Sequence, residues 1–246
     1  DEALFYETKY LYYHIYSAYY FSIGDYENSF LHLKKNVEHI ENNTDKFSEE
    51  PNVYFSVLTN IIYISSRLKK FGDVAIYLDK LRSLPEKLAL KRNEDLDIKL
   101  FSSTSSIELT LYAQTGDFEK GIELIPIIEN GLRLYGERIN NVRKAYLCLN
   151  IAIMYFGERK MSESLKWLNE LLNSIEIEKT EDIYCFAQLL NLIVHLELGN
   201  QQLVPYALKS TQRYLNLRNR VYKFENIFLH FINRILKTRD KKEEHM

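Results

Sequence analysis

The chain has 246 residues, 46% of them hydrophobic, and a net charge of −2 at neutral pH. That length supports a sizeable core, and eight Gly with four Pro are too few for the many turns of an all-β fold. Cys148 and Cys185 stand far apart, outside any Cys-x-x-Cys pattern, which excludes a disulfide framework or zinc knuckle and fits a reducing, cytoplasmic setting.

The amino terminus, DEALFYETKY, is neither a signal peptide nor a natural start, so we expect a chain cut from a longer one. The first predicted helix, 2–22, carries two aromatic stripes at helical spacing. Tyr6, Tyr10, Tyr13 and Tyr20 form one; Phe5, Tyr12, Tyr16 and Tyr19 form the other. Two stripes suit a helix that packs on its own partner and on a neighbour. With upstream units missing, part of the second stripe should lie open, offering a surface for self-association; a base- or sugar-stacking surface is the alternative.

Further helices are expected at 26–43, 52–70, 74–91, 94–114, 118–135, 139–157, 161–175, 181–198, 203–216 and 219–238. NTDKFSEE (43–50) reads as a surface loop, and Pro51 suits the first turn of a helix. Pro85 predicts a break near Ser83–Leu84 and Pro126 a kink near Leu124–Ile125. The last helix places Phe224, Ile227, Phe228, Phe231, Ile232 and Ile235 on one face and Lys223, Asn226, Asn233, Arg234 and Lys237 on the other. It reads as a cap, with a membrane surface or nucleic acid as the competing partners. The tail TRDKKEEHM is too charged to fold. No run of eighteen apolar residues offers a membrane span.

Five glycines recur at near-regular intervals: Gly24, Gly72, Gly116, Gly157 and Gly199, with gaps of 48, 44, 41 and 42. Each follows one apolar helical run and precedes another. Glycine past a helix end takes the left-handed conformation at little cost, and Asp25, Asp73, Asp117 or Asn200 beside it can cap the next helix. A helix pair every 40 to 48 residues cannot bury its own apolar face, so the pairs must stack.

The local strings SIGDYENSF, KFGDVAIYL, QTGDFEKGI, YFGERKMSESL and ELGNQQLVPYAL carry a resemblance to tetratricopeptide repeats in a long-helix form. That family places a small residue seven before the turn glycine, an aromatic four before, an aromatic two after and a small residue five after. Ser17, Tyr20, Tyr26 and Ser29 match fully. Tyr112, Phe118 and Gly121 match with Leu109 off pattern, and Ala152, Tyr155, Met161 and Ser164 match if that turn is two residues longer. The second unit keeps Ser65 and Val74 but has Leu68 and Tyr77 off pattern, and the fifth is degenerate. The resemblance implies an all-α, right-handed superhelix of about five helix pairs in a single domain. Its units are about 2–48, 49–92, 93–137, 138–178 and 179–217, with the capping helix at 218–238.

No phosphate loop, His-Glu-x-x-His or Gly-x-Ser-x-Gly motif is present, and His14, His32, His39, His195, His230 and His245 are scattered, so neither enzyme activity, cofactor nor metal is expected. Polar residues interrupting the apolar first helix of each pair are the candidates for a peptide-binding groove. They are Thr59, Tyr63 and Ser66; Ser103, Ser106 and Thr110; Tyr146 and Asn150; and Gln188, Asn191 and His195. The expected function is a non-enzymatic scaffold that grips a peptide or helix of another protein. The alternative is the peptide-sensing domain of a bacterial regulator whose effector domain lies upstream. Residues 1–50 hold 10 acids and 4 bases, residues 205–246 hold 10 bases and 4 acids, a polarity able to orient a partner or a second copy.

Overall fold

The computed structural model describes residues 2–47, 50–87, 94–175, 182–217 and 223–243, and among these it contains helices and no strands. The helices are α1 (Glu2–Ser22), α2 (Tyr26–Glu41), α3 (Thr44–Phe47), α4 (Pro51–Arg67), α5 (Phe71–Arg82), α6 (Leu84–Lys87) and α7 (Glu94–Thr115), followed by α8 (Phe118–Tyr135), α9 (Asn141–Gly157), α10 (Met161–Asn169), α11 (Asp182–Glu197), α12 (Val204–Leu217) and α13 (Lys223–Glu243). The chain divides into two units, Asp1–Leu111 and Tyr112–Met246. The expected ends at 88–91, 181 and 219–222 lie outside the described residues.

The proline expectations resolve differently. Pro51 opens α4, where its missing N–H costs nothing, and the break falls at Ser83, between α5 and α6. Pro126 sits exposed on α8, which runs through it as one helix. Two irregular readings are corrected. The 43–50 segment holds the short helix α3, and the charged tail continues α13 as far as Glu243, with residues 244–246 outside the description. Extending a formed helix fixes one residue per hydrogen bond gained, so a charged sequence that could not start a helix can still prolong one.

The first unit is built on α1, α2, α4, α5 and most of α7. Leu33, Val37 and Ile40 of α2 meet Tyr54, Leu58 and Ile61 of α4 and Leu78 and Leu81 of α5 in one core, which Leu96 and Leu100 of α7 join. The Tyr54 hydroxyl donates to Glu41 Oε1 at 2.6 Å, and Lys80 Nζ reaches both Glu41 oxygens at 2.7 Å, tying α4, α2 and α5 together. In the second unit, Ala145, Cys148 and Ala152 of α9 pack on Leu168 and on Ile183 and Ala187 of α11. A further cluster joins Leu189 and Leu192 to Val204 and Leu208 of α12 and to Leu229 and Ile232 of α13.

The elbows repeat more faithfully than the glycines do. The left-handed residue is Gly24, Lys69, Gly116, Arg159 and Gly199. The amide after each donates to the carbonyl five residues back: Asp25 to Tyr20, Lys70 to Ser65, Asp117 to Tyr112, Lys160 to Tyr155 and Asn200 to His195, all at 2.8–3.0 Å. This is the backbone closure of a helix that ends on a left-handed residue. Gly72 and Gly157 therefore lie inside helices, against expectation. The second elbow falls three residues earlier than its glycine suggested, and the fourth two residues later.

The shift supplies an aromatic after the second elbow but leaves Ile62 seven before it and Ser65 four before it, both off the expected pattern. Counted from Lys69, the aromatic two residues on is Phe71 and the residue five on is Val74. The residues seven before each elbow (Ser17, Ile62, Leu109, Ala152 and Leu192) are all buried, as are those five after (Ser29, Val74, Gly121, Ser164 and Val204). In two units the later residue is a serine that donates to the earlier carbonyl, Ser29 to Ser17 at 2.9 Å and Ser164 to Ala152 at 2.8 Å. The capping role is fulfilled by Asp25 alone of the four residues expected: its carboxylate accepts from the Asn28 amide at 3.1 Å. Asp117 accepts instead from Thr115, Asn200 donates to His195, and Asp73 lies within α5.

Candidate functional site

On α1 the two stripes separate as their spacing requires. Tyr6 is buried and Tyr10, Tyr13 and Tyr20 half-buried against α2, whereas Phe5, Tyr12, Tyr16 and Tyr19 are exposed. Their rings tile two histidines of α2. His32 stacks on Tyr16 and Tyr20, both at 5.4 Å, and His39 stacks on Tyr6 at 4.7 Å while donating through Nε2 to the Tyr6 carbonyl at 3.1 Å. Burial lowers the pKa of both, with Lys35 adding to the effect at His32 and Lys9 at His39.

The first helices after each interval present one open face. On α4, Tyr63 is exposed with Thr59 and Ser66 half-buried beside it. Thr59 donates its hydroxyl to the Ser56 carbonyl, so it is turned partly to its own backbone. Arg67, which sequence reasoning passed over, lies 5.4 Å from the rings of both Tyr26 and Tyr63 and donates twice to the Tyr63 hydroxyl, at 3.1 and 2.9 Å. The i, i+4 spacing of Tyr63 and Arg67 is the signal that would have found it. On α7, Ser103 and Ser106 are half-buried and Thr110 exposed. Lys99 of α7 donates to Asn52 of α4 at 3.0 Å.

In the second unit the open face of α9 carries Tyr146, 44% exposed, and half-buried Asn150. The neighbouring α11 overturns the expectation. Gln188, Asn191 and His195 do lie on one face, but it is the face turned to α12 and the elbow. The Gln188 Oε1 accepts from the buried Thr211 of α12 at 3.2 Å, and His195 Nδ1 is 3.0 Å from Asn200 Nδ2. Burial lowers the His195 pKa accordingly. The open face of α11 is apolar instead, with Phe186 57% exposed and Leu190 and Ile193 half-buried. A polar row in an apolar helix reads as solvent-facing unless the facing helix supplies a polar partner, and here Thr211 does.

None of these residues lines a cleft of about 980 Å³ between α8, α9 and α10. Its wall alternates Arg133, Lys144 and Lys166 with Glu129, Glu137 and Glu170 around Trp167. Such a balanced wall favours neither an anion nor a cation. The Cys148 thiol in its wall is pushed up to about 12 by burial, with Glu170 adding to the shift, which favours the protonated thiol at neutral pH.

Among the described residues no group of three or more His, Cys, Asp or Glu could hold a metal ion, and no helix is long and apolar enough to cross a membrane. Compared with protein-family models and with curated proteins, the sequence matches none.

Proposed function

We propose that the chain is a non-enzymatic protein-interaction module built of tetratricopeptide-like helix pairs, which binds a peptide or helix of another protein along the open faces of its first helices. The observation that carries this reading is the α9–α11 face. Two exposed aromatics, Tyr146 on α9 and Phe186 on α11, share the open faces of these helices with half-buried Asn150, Leu190 and Ile193. Apolar anchors with a convergent amide suit an apolar side chain of a guest together with its backbone. Helix-pair repeats with this elbow geometry fit the same reading, because stacking leaves one helix of each pair lining a shared wall.

The test is selection of short peptides from a displayed library on the 246-residue chain, followed by measurement of the selected peptides on a Tyr146→Ala, Phe186→Ala double variant. We expect binding to weaken at least tenfold while helicity by circular dichroism is retained. A Gln188→Ala variant should bind as the unaltered chain does. Failure to select any peptide, or equal binding by the double variant, would retire the assignment.

A further inference from the structure

We propose that the outer face of α1 pairs with the same face of a second copy of this chain, the two helices running antiparallel about a two-fold axis between Tyr12 and Tyr16. Phe5, Ile15, Tyr19 and Ile23 are 72%, 60%, 54% and 59% exposed, and Leu11, Tyr12 and Tyr16 stand open beside them. At about 150–250 Å² for a fully buried aromatic, this strip offers on the order of 600 Å² of apolar surface. A stable interface takes roughly 800 Å² from each partner, so the strip supplies most of it.

Charge decides which occupant fits. Residues 10–24, YLYYHIYSAYYFSIG, contain no Asp, Glu, Lys or Arg, so two copies of this face carry charge only towards the Phe5 end, at Glu7 and Lys9. The other open apolar strip, Phe224, Ile227 and Phe231 on α13, is flanked by exposed Lys223 and Arg234. Lys9, Lys35 and Glu38 border the α1 strip, lining the recess that begins at Phe5. Docking α13 of one copy on α1 of the next would add Lys223 and Arg234 to a recess where Lys9 and Lys35 already outnumber Glu38, so the −6 and +6 balance of the chain's two ends does not favour this pairing. Running α1 parallel to itself would oppose Lys9 to Lys9. The antiparallel arrangement sets Lys9 beside Tyr19 of the second copy and Phe5 beside Ile23, exchanging a repulsion for a cation–ring contact.

The test is the solution mass of the 246-residue chain by sedimentation up to about 0.1 mM. We expect twice the 29.3 kDa chain mass, reduced to one chain by Ile15→Lys and unchanged by Phe231→Lys, with all three proteins equally helical. Phe5→Cys and Ile23→Cys chains should cross-link when mixed under oxidation, but Phe5→Cys should not cross-link to itself. A monomeric unaltered chain, a dimer that survives Ile15→Lys, or one abolished by Phe231→Lys would each overturn the proposal. So would self-cross-linking of Phe5→Cys, which requires the parallel arrangement.

Discussion

Gly157 and Gly72 belong to the same sequence series and serve opposite purposes. A Cβ at Gly157 would collide with the Phe118 ring, so the glycine there admits the aromatic that follows the preceding elbow. At Gly72 a Cβ would meet nothing within 4 Å, and the backbone is helical. Gly157→Ala should therefore cost about 1–3 kcal/mol through overpacking, whereas Gly72→Ala should be neutral or stabilising by about 0.5–1 kcal/mol. Chemical denaturation of the two variants measures the contrast. The sequence showed five glycines at a regular interval but not their reasons. Lys69 and Arg159 hold the left-handed positions that were assigned to Gly72 and Gly157. For a non-glycine residue that conformation costs roughly 1–2 kcal/mol, which packing on either side of the elbow must offset.

At the scale of the element, the helices were legible because apolar periodicity reports the buried face directly. α1 and α8 have the predicted ends, α9 begins two residues later than predicted, and α11 ends one residue earlier. Which open residues form a site was less legible. On α9, Tyr146 and Asn150 interrupt a run in which Ala145, Leu147, Cys148, Leu149, Ile151 and Ala152 are buried, and that interruption is visible in the sequence. The open face of α11 was not, because a polar row can be satisfied by a neighbouring helix, and Thr211 lies 23 residues away from Gln188 in sequence. The α13 strip fails for a related reason. Of the six apolar residues assigned to its packing face, Ile232 is buried while Phe224, Ile227 and Phe231 are exposed. Leu229, outside the assigned set, lies at the centre of the contact. An apolar arc wider than one contact does not say which edge is covered. Interhelical polar links are also invisible to periodicity, and Glu41 is the clearest, shared by Tyr54 and Lys80. Tyr54→Phe removes a hydrogen bond to a carboxylate in a side chain that is fully buried, and should cost about 1.5–3 kcal/mol in thermal or urea unfolding.

For the molecule as a whole, three histidines should erode stability on the acid side of neutrality. His32, His39 and His195 are all shifted below the ordinary value of 6.5, chiefly because burial disfavours the charged ring. A group whose folded pKa is depressed binds its proton more readily when unfolded. The stability it contributes is present above pH 6.5 and is lost as pH falls through the folded pKa. Urea midpoints should accordingly fall between about pH 7 and 5.5, ahead of carboxylate protonation, and a variant with all three histidines replaced by Gln should show a flatter profile. An increase in midpoint over that interval would contradict the assignment.

The five elbows close through main-chain amides and carbonyls, so their geometry is indifferent to most of the side chains that decorate them. Such joints behave as standard fittings: a chain can gain or lose a helix pair by duplication or deletion without inventing a new bend. Neighbouring pairs are then free to diverge in sequence until little kinship remains legible between them, while the architecture persists.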